Sequence, residues 1–365
     1  MGQPYKKKYI DFMFSEISLK KRIKENFPNI LFRAEVDKKK WDNVLEKSDY
    51  VKVDYVQDFL DYRLMYAKQN LNIHDFSMIF FENNNPIAVW PLTVTIYRKK
   101  KIETCTLDNF STNLLRPNIV NTISISNRRK ILEQSVELLK FFADKLKIKN
   151  ILTQFSTLDN QQDSLNWLQI NYSKKNKINY QLSEIYLKID STIEVIKKNF
   201  RKSYKPLITS NQKEFENGVL TDKNDYIWNE FKKLHYESAG RITRSKKTWD
   251  IQYESLIQKN AFLVYLKKNQ KFLGFGYFFH SKDECLYSVA ANDRTEMRKN
   301  KFPLGHLIQF FAIKEMIRRS IKWYKLGDEN LSLRSNIDQK NLNIIKFKKG
   351  FSSHELPAFY YMLKF

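Results

Sequence analysis

Residues able to do chemistry are few in this chain, and most of them are cationic. Between Gln181 and Ile208 a strand-like run becomes helical, and Lys198, Arg201, Lys202 and Lys205 recur at spacings of three and four. Such spacing predicts one basic helix face. Like charges so placed repel, so an anion against them would be stabilising; a solvated face of snorkelling lysine stems is the other reading. A second group lies in LHYESAGRITRSKKTW, where His235, Arg241 and Arg244 flank a break at Gly240. A loop rich in Arg, Ser and Thr beside a helix end can hold phosphate, and it can equally be a plain connection. The third candidate is Asp328. The short strand Trp323 to Leu326 is expected to stop at Gly327-Asp328-Glu329-Asn330. Ligands in open α/β sheets collect beyond the carboxyl ends of strands, although an acidic turn residue without a function reads the same way.

Other chemistries lack their signatures. There is no G-x-S-x-G, no H-E-x-x-H, no Walker loop and no paired Cys and His. Cys105 and Cys285 sit in separate strand-like runs with no spacing for zinc or a redox pair, and read as buried thiols of a reducing compartment. The five histidines form no metal pattern. The start is basic without an apolar core of signal-peptide length, and no run of about 18 apolar residues occurs, so the expected location is cytoplasmic. Gly2 suggests myristoylation, but Lys6 stands where that motif wants Ser or Thr.

The formal charge of +24, from 64 Lys and Arg against 40 Asp and Glu, favours a polyanionic partner. RNA, a nucleotide-linked sugar or an anionic membrane surface would qualify, and a solvated basic surface is the alternative. With 365 residues, 42% hydrophobic and 15% aromatic, the chain can build two packed cores.

The elements that must hold these residues are legible in part. From Ala261 onward, three β-branched or aromatic runs separated by KKNQK and HSKDE precede an amphipathic helix from about Gly305 to Arg319, then the strand at 323. This spells an antiparallel meander feeding one parallel crossover. Upstream, Val56, Phe59, Leu60, Leu64 and Ala67 predict a helix ending near Asn70. FSMIFFENNNPIAVWPLTVTIY predicts two strands joined at Asn83-Asn84-Asn85-Pro86. Residues 98–126 show no clear periodicity; they are compatible with a strand and a loop, with a break at Arg116-Pro117. Leu132, Val136, Leu139, Phe142 and Leu146 form the stripe of a helix that leads into a strand at 150–155. Helix, hairpin, irregular stretch, helix and short strand thus occupy 47–155 and recur over 225–326. The expected class is α/β (α+β), with two tandem domains, each a mixed, mostly antiparallel sheet flanked by helices. An extension over 1–33 packs on a first domain of 34–178, and 179–365 is the second.

Four stretches, NFRKSYKPLI (199–208), LYSVAANDR (286–294), PLGHLIQFFAIKEMIRRSIKWYKLGD (303–328) and KFKKGF (346–351), resemble in order and spacing the Fem-type aminoacyltransferases. These are relatives of the GNAT acetyltransferase superfamily. The resemblance implies twin acetyltransferase-like domains with the site in the groove between them and on the second. By position, Phe347 and Lys348 match an aromatic and a lysine that line the acyl site, the ammonium stabilising charge on the donor ester. Tyr287 resembles a central-strand tyrosine that touches the acceptor. Asp328 is the physical candidate for taking the amine's proton.

The wider superfamily cradles coenzyme A pyrophosphate on a glycine-rich turn. Here that place reads RTEMRKNKFPLGHLIQ, with Gly305 alone and Pro303 before it. Either Arg298, Lys299 and Lys301 bind the phosphate of acyl-CoA by side chain, or the donor is not coenzyme A; the resemblance to the Fem branch implies aminoacyl-tRNA in that case. The expectation is a cytoplasmic N-acyltransferase with no tightly bound cofactor. It would acylate an amine of a cell-envelope precursor or of a nucleotide-linked amino sugar; the anionic partner is a nucleotide-sugar or lipid-linked precursor, with room for tRNA and for peripheral membrane contact, and no DNA. A CoA-dependent sugar N-acetyltransferase of polysaccharide synthesis and a non-catalytic RNA-binding protein are the rivals.

Overall fold

The computed structural model describes residues 15–99, 102–158, 160–171, 177–331 and 338–365. Residues 1–14, most of the basic start, and 172–176, most of the expected junction, lie outside the described residues.

The N-terminal half opens with α1 (Glu16–Asn26), β1 (Ile30–Phe32), α2 (Lys38–Glu46) and α3 (Gln57–Ala67). Ser15 and Asp37 cap α1 and α2 by accepting from backbone N–H groups. Then come β2 (Asn72–Asp75), β3 (Met78–Glu82), β4 (Asn85–Trp90), β5 (Thr93–Lys99), β6 (Ile102–Asp108) and β7 (Asn118–Ile119). The expected hairpin is β3–β4, turning on Asn83 and Asn84 at φ 49° and 65°, the left-handed values a two-residue loop requires. The run from 76 to 97 holds three strands rather than two. After Trp90 the chain passes Pro91 and enters β5, which pairs with β2 and β6 in a separate sheet. β6 falls in the stretch that had no clear periodicity. α4 (Ile125–Leu146), β8 (Asn150–Ser156) and α5 (Gln161–Ile170) complete this half.

The C-terminal half runs through β9 (Lys177–Lys188), α6 (Ile193–Lys198), α7 (Tyr204–Asn211), β10 (Glu216–Leu220), α8 (Asp225–Ala239) and α9 (Lys246–Ile257). The predicted meander follows as β11 (Ala261–Lys268), β12 (Lys271–His280) and β13 (Glu284–Asn292), then α10 (Arg294–Asn300) and α11 (Leu304–Arg318). β14 (Trp323–Asn330), α12 (Gln339–Lys349) and β15 (His354–Lys364) close the chain. Eight strands form one sheet in the order β10-β11-β12-β13-β14-β9-β15-β8, with β13 and β14 parallel. The edge strand β8 comes from the N-terminal half.

Two apolar layers sandwich this sheet. On one face Leu307, Ile308, Phe311 and Met316 of α11 pack with Ile196, Ile208 and the strand residues Phe262, Phe278 and Tyr324. On the other, Trp228 and Phe231 of α8 and Trp249 of α9 meet Phe275 and Tyr277, joined by Phe59 and Tyr62 of α3. The rings of Phe59 and Phe279 lie 5.1 Å apart, so α3 serves the second half's core. A third cluster fills the N-terminal half.

The two halves are tied by more than packing. Val51 N–H donates to Asp283 (2.9 Å), Val53 N–H to Glu284 (3.0 Å), and Ser281 Oγ to the Val51 carbonyl (2.5 Å). Lys282 Nζ donates to the carbonyls of Glu46 and Ser48 at 2.7 and 2.5 Å.

Gly276 lets α11 approach β12 closely. A Cβ there would overlap Ile308 and come within 2.9 Å of the Phe278 ring, whereas one at Gly305 would meet only Phe347 at 3.4 Å. We therefore expect Gly276→Ala to lower the unfolding free energy by about 1–3 kcal/mol, the usual overpacking penalty. Gly305→Ala should change it far less in the same urea titrations.

Candidate functional site

The site begins where β13 and β14 separate. Their parallel register holds for Glu284 with Trp323, Cys285 with Tyr324 and Leu286 with Lys325, and then ends although both strands continue. Each strand carries one extra residue at this point. Ser288 is unmatched between the Tyr287 and Val289 partners on β12, and Leu326 between the Lys325 and Gly327 partners on β9. A bulge sharpens local twist, and one in each neighbour drives the strands apart. The result is a wedge in the middle of the sheet, open toward the carboxyl ends of both strands.

This corrects the sequence reading of Asp328. The strand does not stop at Leu326; it runs to Asn330, and Asp328 pairs with Glu184 on β9. Gly-Asp-Glu-Asn has turn composition, but β9 offers a ladder, and Gly327 at φ 153° takes up the bulge in place of a turn.

Into this bulge comes Lys348. Asp338 caps α12 by accepting from Asn341 N–H (2.8 Å), and the helix returns its last turn over β14. The Lys348 ammonium then occupies the space a side chain at position 327 would need. It ends a row of alternating charge. Lys325 Nζ lies 3.4 Å from Asp328 and 2.7 Å from Glu184, and Glu184 accepts from Ser156 Oγ (2.5 Å) and Gln154 (3.2 Å) of β8. Burial alone would raise the Glu184 carboxyl, but Lys325 and Lys52 outweigh it and hold it at about 2. Burial would likewise neutralise Lys325, yet Asp328, Glu184 and Glu284 keep its value well above that of an ordinary lysine. Lys348 is shifted the other way: burial and the charge of Lys325 lower it, with Asp328 opposing.

Beside this row lies Glu284, which accepts from Tyr50 Oη (3.0 Å), Tyr186 Oη (3.1 Å) and Val53 N–H. Burial pushes its carboxyl up to about 7 against the pull of Lys325 and Lys52.

Phe347 points to the other side of α12, into a cluster with Tyr204, His306 and Phe351; its ring lies 5.1 Å from His306 and 6.1 Å from Tyr204. Arg201 closes this corner. Its guanidinium stacks 5.1 Å from the Tyr204 ring and donates to the Lys346 carbonyl (2.9 Å), and its N–H donates to the Gly350 carbonyl (2.8 Å). The single basic face expected over 198–205 is not formed. α6 ends at Lys198 and α7 starts at Tyr204, leaving Arg201 and Lys202 in the link. Pro206 explains the break, since it is tolerated in a first turn and not inside a continuous helix. Lys205 turns back to the Lys198 carbonyl (2.5 Å), and Lys202 is exposed.

Tyr287 follows Leu286, the last β13 residue to pair with β14. Its ring stacks on Phe278 at 5.0 Å, and burial raises its phenol well above the ordinary value, a hydrogen bond with Gln309 opposing. His235, Arg241 and Arg244 lie elsewhere, at the α8–α9 connection on the opposite face. Arg244 donates to His235 Nε2 (2.8 Å) and covers the rings of Trp249 and Tyr66 at 5.3 and 5.8 Å. Burial, with Arg244 adding to it, lowers His235 to about 4. Arg241 is exposed beyond the α8 cap at Gly240.

A cleft of about 530 Å³ lies at the carboxyl end of β13, lined by Ser238, Ala290, Asn292, Arg294, Met297 and Arg298. Asn292 Oδ1 is buried without a partner on the Gly274 side, so the charged groups the cleft presents are those of Arg294 and Arg298. These suit a ligand with a phosphate. Of the lining residues, sequence reasoning raised only Arg298. Lys325, Glu184 and Glu284 were also missed, because nothing in their spacing marks them; the strands that unite them are distant in the chain. Among the described residues no group of three His, Cys, Asp or Glu gathers as metal ligands would.

The fold is shared with solved structures. FemX matches over 90% of this chain and 96% of its own, with a TM-score of 0.61 and 12% identity. L-PGS from Bacillus licheniformis matches over 90% and 92%, TM-score 0.53, at 11% identity. The C-terminal domain of a putative lysylphosphatidylglycerol synthetase from Agrobacterium fabrum matches over 89% and 90%, TM-score 0.52, at 8% identity. No protein-family model and no curated protein sequence matches the chain. The Fem-type fold expected from the motifs is therefore present over nearly the whole length.

Glu284 yields a pH dependence of known sign. The unfolded chain releases this proton near the ordinary 4.5 and the folded one near 7, so unfolding releases a proton in between. Stability from this group is full below 4.5 and is lost as pH rises to 7, on the order of 1 kcal/mol per pH unit. The melting temperature of the wild type should fall across that window relative to Glu284→Gln. Parallel curves for the two proteins would show that Glu284 titrates normally.

Proposed function

We propose that this protein is an N-acyltransferase that moves an acyl or aminoacyl group from an ester or thioester onto an amine. The acceptor is an amine of a cell-envelope precursor, nucleotide-linked or lipid-linked, and the reaction is cytoplasmic. The observation that carries this reading is the parting of β13 and β14 with the half-buried Lys348 ammonium over the Gly327 bulge. A carbonyl lying in the wedge has backbone edges on both sides and a poorly hydrated cation at one end, where developing negative charge is strongly stabilised.

In this reading the acceptor nitrogen attacks the donor carbonyl carbon; the C–N bond forms and the C–O or C–S bond breaks. Lys348 stabilises the tetrahedral oxyanion. Asp328 takes the amine's proton, directly or through water, and the departing oxygen or sulfur anion is protonated from solvent. Phe347 holds Lys348 on one side by anchoring α12, and Tyr287 borders the acceptor. Arg294 and Arg298 meet the donor's phosphate, present in both aminoacyl-tRNA and acyl-CoA. Arg201, Lys202 and Lys205 stand near the acceptor's anionic part. His235 and Arg244 support the α8–α9 corner, and Arg241 is free to reach substrate. The proposal includes two acetyltransferase-like units, 34–178 and 179–365, with 1–33 as an extension. A domain named for lysylphosphatidylglycerol synthesis among the similar folds favours keeping a lipid-linked acceptor in view.

The decisive experiment supplies radiolabelled aminoacyl-tRNA or acyl-CoA with nucleotide-linked and lipid-linked amine acceptors, for wild type and Lys348→Met. Transfer by the wild type and a loss of about 10²–10³ in kcat for the variant are expected, the magnitude of losing one oxyanion partner. RNA binding without transfer from either donor would sustain the non-catalytic reading instead. Transfer from acyl-CoA alone would select the sugar N-acetyltransferase.

The lowered Lys348 adds a pH profile. Its ammonium is lost on raising pH, earlier than the ordinary 10.5 of a lysine, so kcat should decline on the alkaline side below that value. In Lys348→Arg that decline should move upward, because a guanidinium does not titrate there.

A further inference from the structure

We infer that the outer side of α6, α7 and α12 is a docking surface for an anionic lipid membrane. These three helices cover the same face of the large sheet. Their inner residues, Ile196, Ile208 and Phe347, pack into one core, so their outer sides form one continuous surface. The helices are also stitched together, Lys197 Nζ to Thr209 Oγ1 at 2.6 Å between α6 and α7, and Arg201 of the α6–α7 link to the Lys346 carbonyl of α12 at 2.9 Å.

Two properties of that surface point to one partner. Residues 193–213 and 338–349 carry ten basic side chains and two acidic ones. Lys348 and Lys349 turn inward, the latter onto Glu329 and Glu355, and the rest remain for an anionic surface. Among these lysines, aliphatic side chains stand out into solvent: Val195 is 45% exposed, Leu207 36% and Ile344 42%. Lysines around protruding aliphatic residues make an interfacial contact, in which the apolar tips enter the headgroup boundary and the cations meet anionic lipid. A surface for single-stranded RNA presents aromatic rings for base stacking, and the exposed apolar residues here are Val, Leu and Ile. Among the described residues no helix is long and apolar enough to cross a membrane, so the contact is peripheral.

The inference stands apart from the acyl-transfer reading, since it is tested without a donor or turnover. The full chain is sedimented with phosphatidylcholine vesicles with and without phosphatidylglycerol. Binding only to the anionic vesicles is expected. Val195→Ser/Leu207→Ser/Ile344→Ser should weaken it at least tenfold, as should Lys198→Glu/Lys340→Glu. The equal charge change Lys130→Glu/Lys140→Glu on α4 should weaken it little. Failure to bind, or equal losses in both charge variants, would overturn the assignment. So would tight binding to a labelled RNA hairpin that the triple serine variant weakens as much as vesicle binding. Thermal melts of each variant exclude misfolding as the cause.

Discussion

A row of alternating charge, Lys348, Asp328, Lys325 and Glu184, crosses the large sheet at the candidate site, buried at Glu184, nearly so at Lys325, and open to solvent at Asp328. At its inner end a lone Glu184 or Lys325 would be neutralised, because burial removes it from water. Here each anion lies against a cation and the far end is satisfied by Ser156 and Gln154. The row therefore holds only if β8, β9 and β14 are all in place. At the end of the row, burial and the charge of Lys325 destabilise the Lys348 ammonium against the pull of Asp328, while Asp328, Glu184 and Glu284 together hold Lys325 firmly charged.

That dependence couples the two halves of the chain. β8 belongs by sequence to the N-terminal half but forms the edge of the C-terminal sheet beside β15. Residues 46–53 grip the turn before β13, and α3 supplies aromatic rings to the second half's core. The wedge is thus anchored on both sides, β13 through Asp283 and Glu284 to the first half, β14 through β9 and β15 to β8. Bulges at Ser288 and Leu326 then part the strands without loosening either, because each keeps its outer neighbour.

Charge is distributed with a similar division. The inward-facing cations Lys325, Lys348 and Lys349 are matched or half-matched to carboxylates, whereas Lys198, Lys202 and Lys340 remain on the surface. The overall excess of positive charge is mostly a property of the exterior. It acts on partners over the range of a Debye length, about 8 Å at physiological salt, and contributes little to the interior site.

The sequence by itself determined the local elements of the second half. Alternation and 3.6-residue periodicity located the meander, α11 and the following strand, and the Asn pair located the β3–β4 turn, because these signals come from neighbours in the chain. Motif order was enough to indicate the Fem-type fold and to single out Phe347 and Lys348. Tertiary structure decided the rest. Whether Gly327-Asp328 is a turn or a bulge depends on a ladder offered by β9, some 140 residues away. Whether 198–205 is one helix face depends on where Arg201 finds its carbonyl partners on α12. The assembly of Glu184, Lys325 and Asp328 into one row depends on strand order, which no local pattern encodes, since the energy that fixes it comes from pairing between segments far apart in the chain.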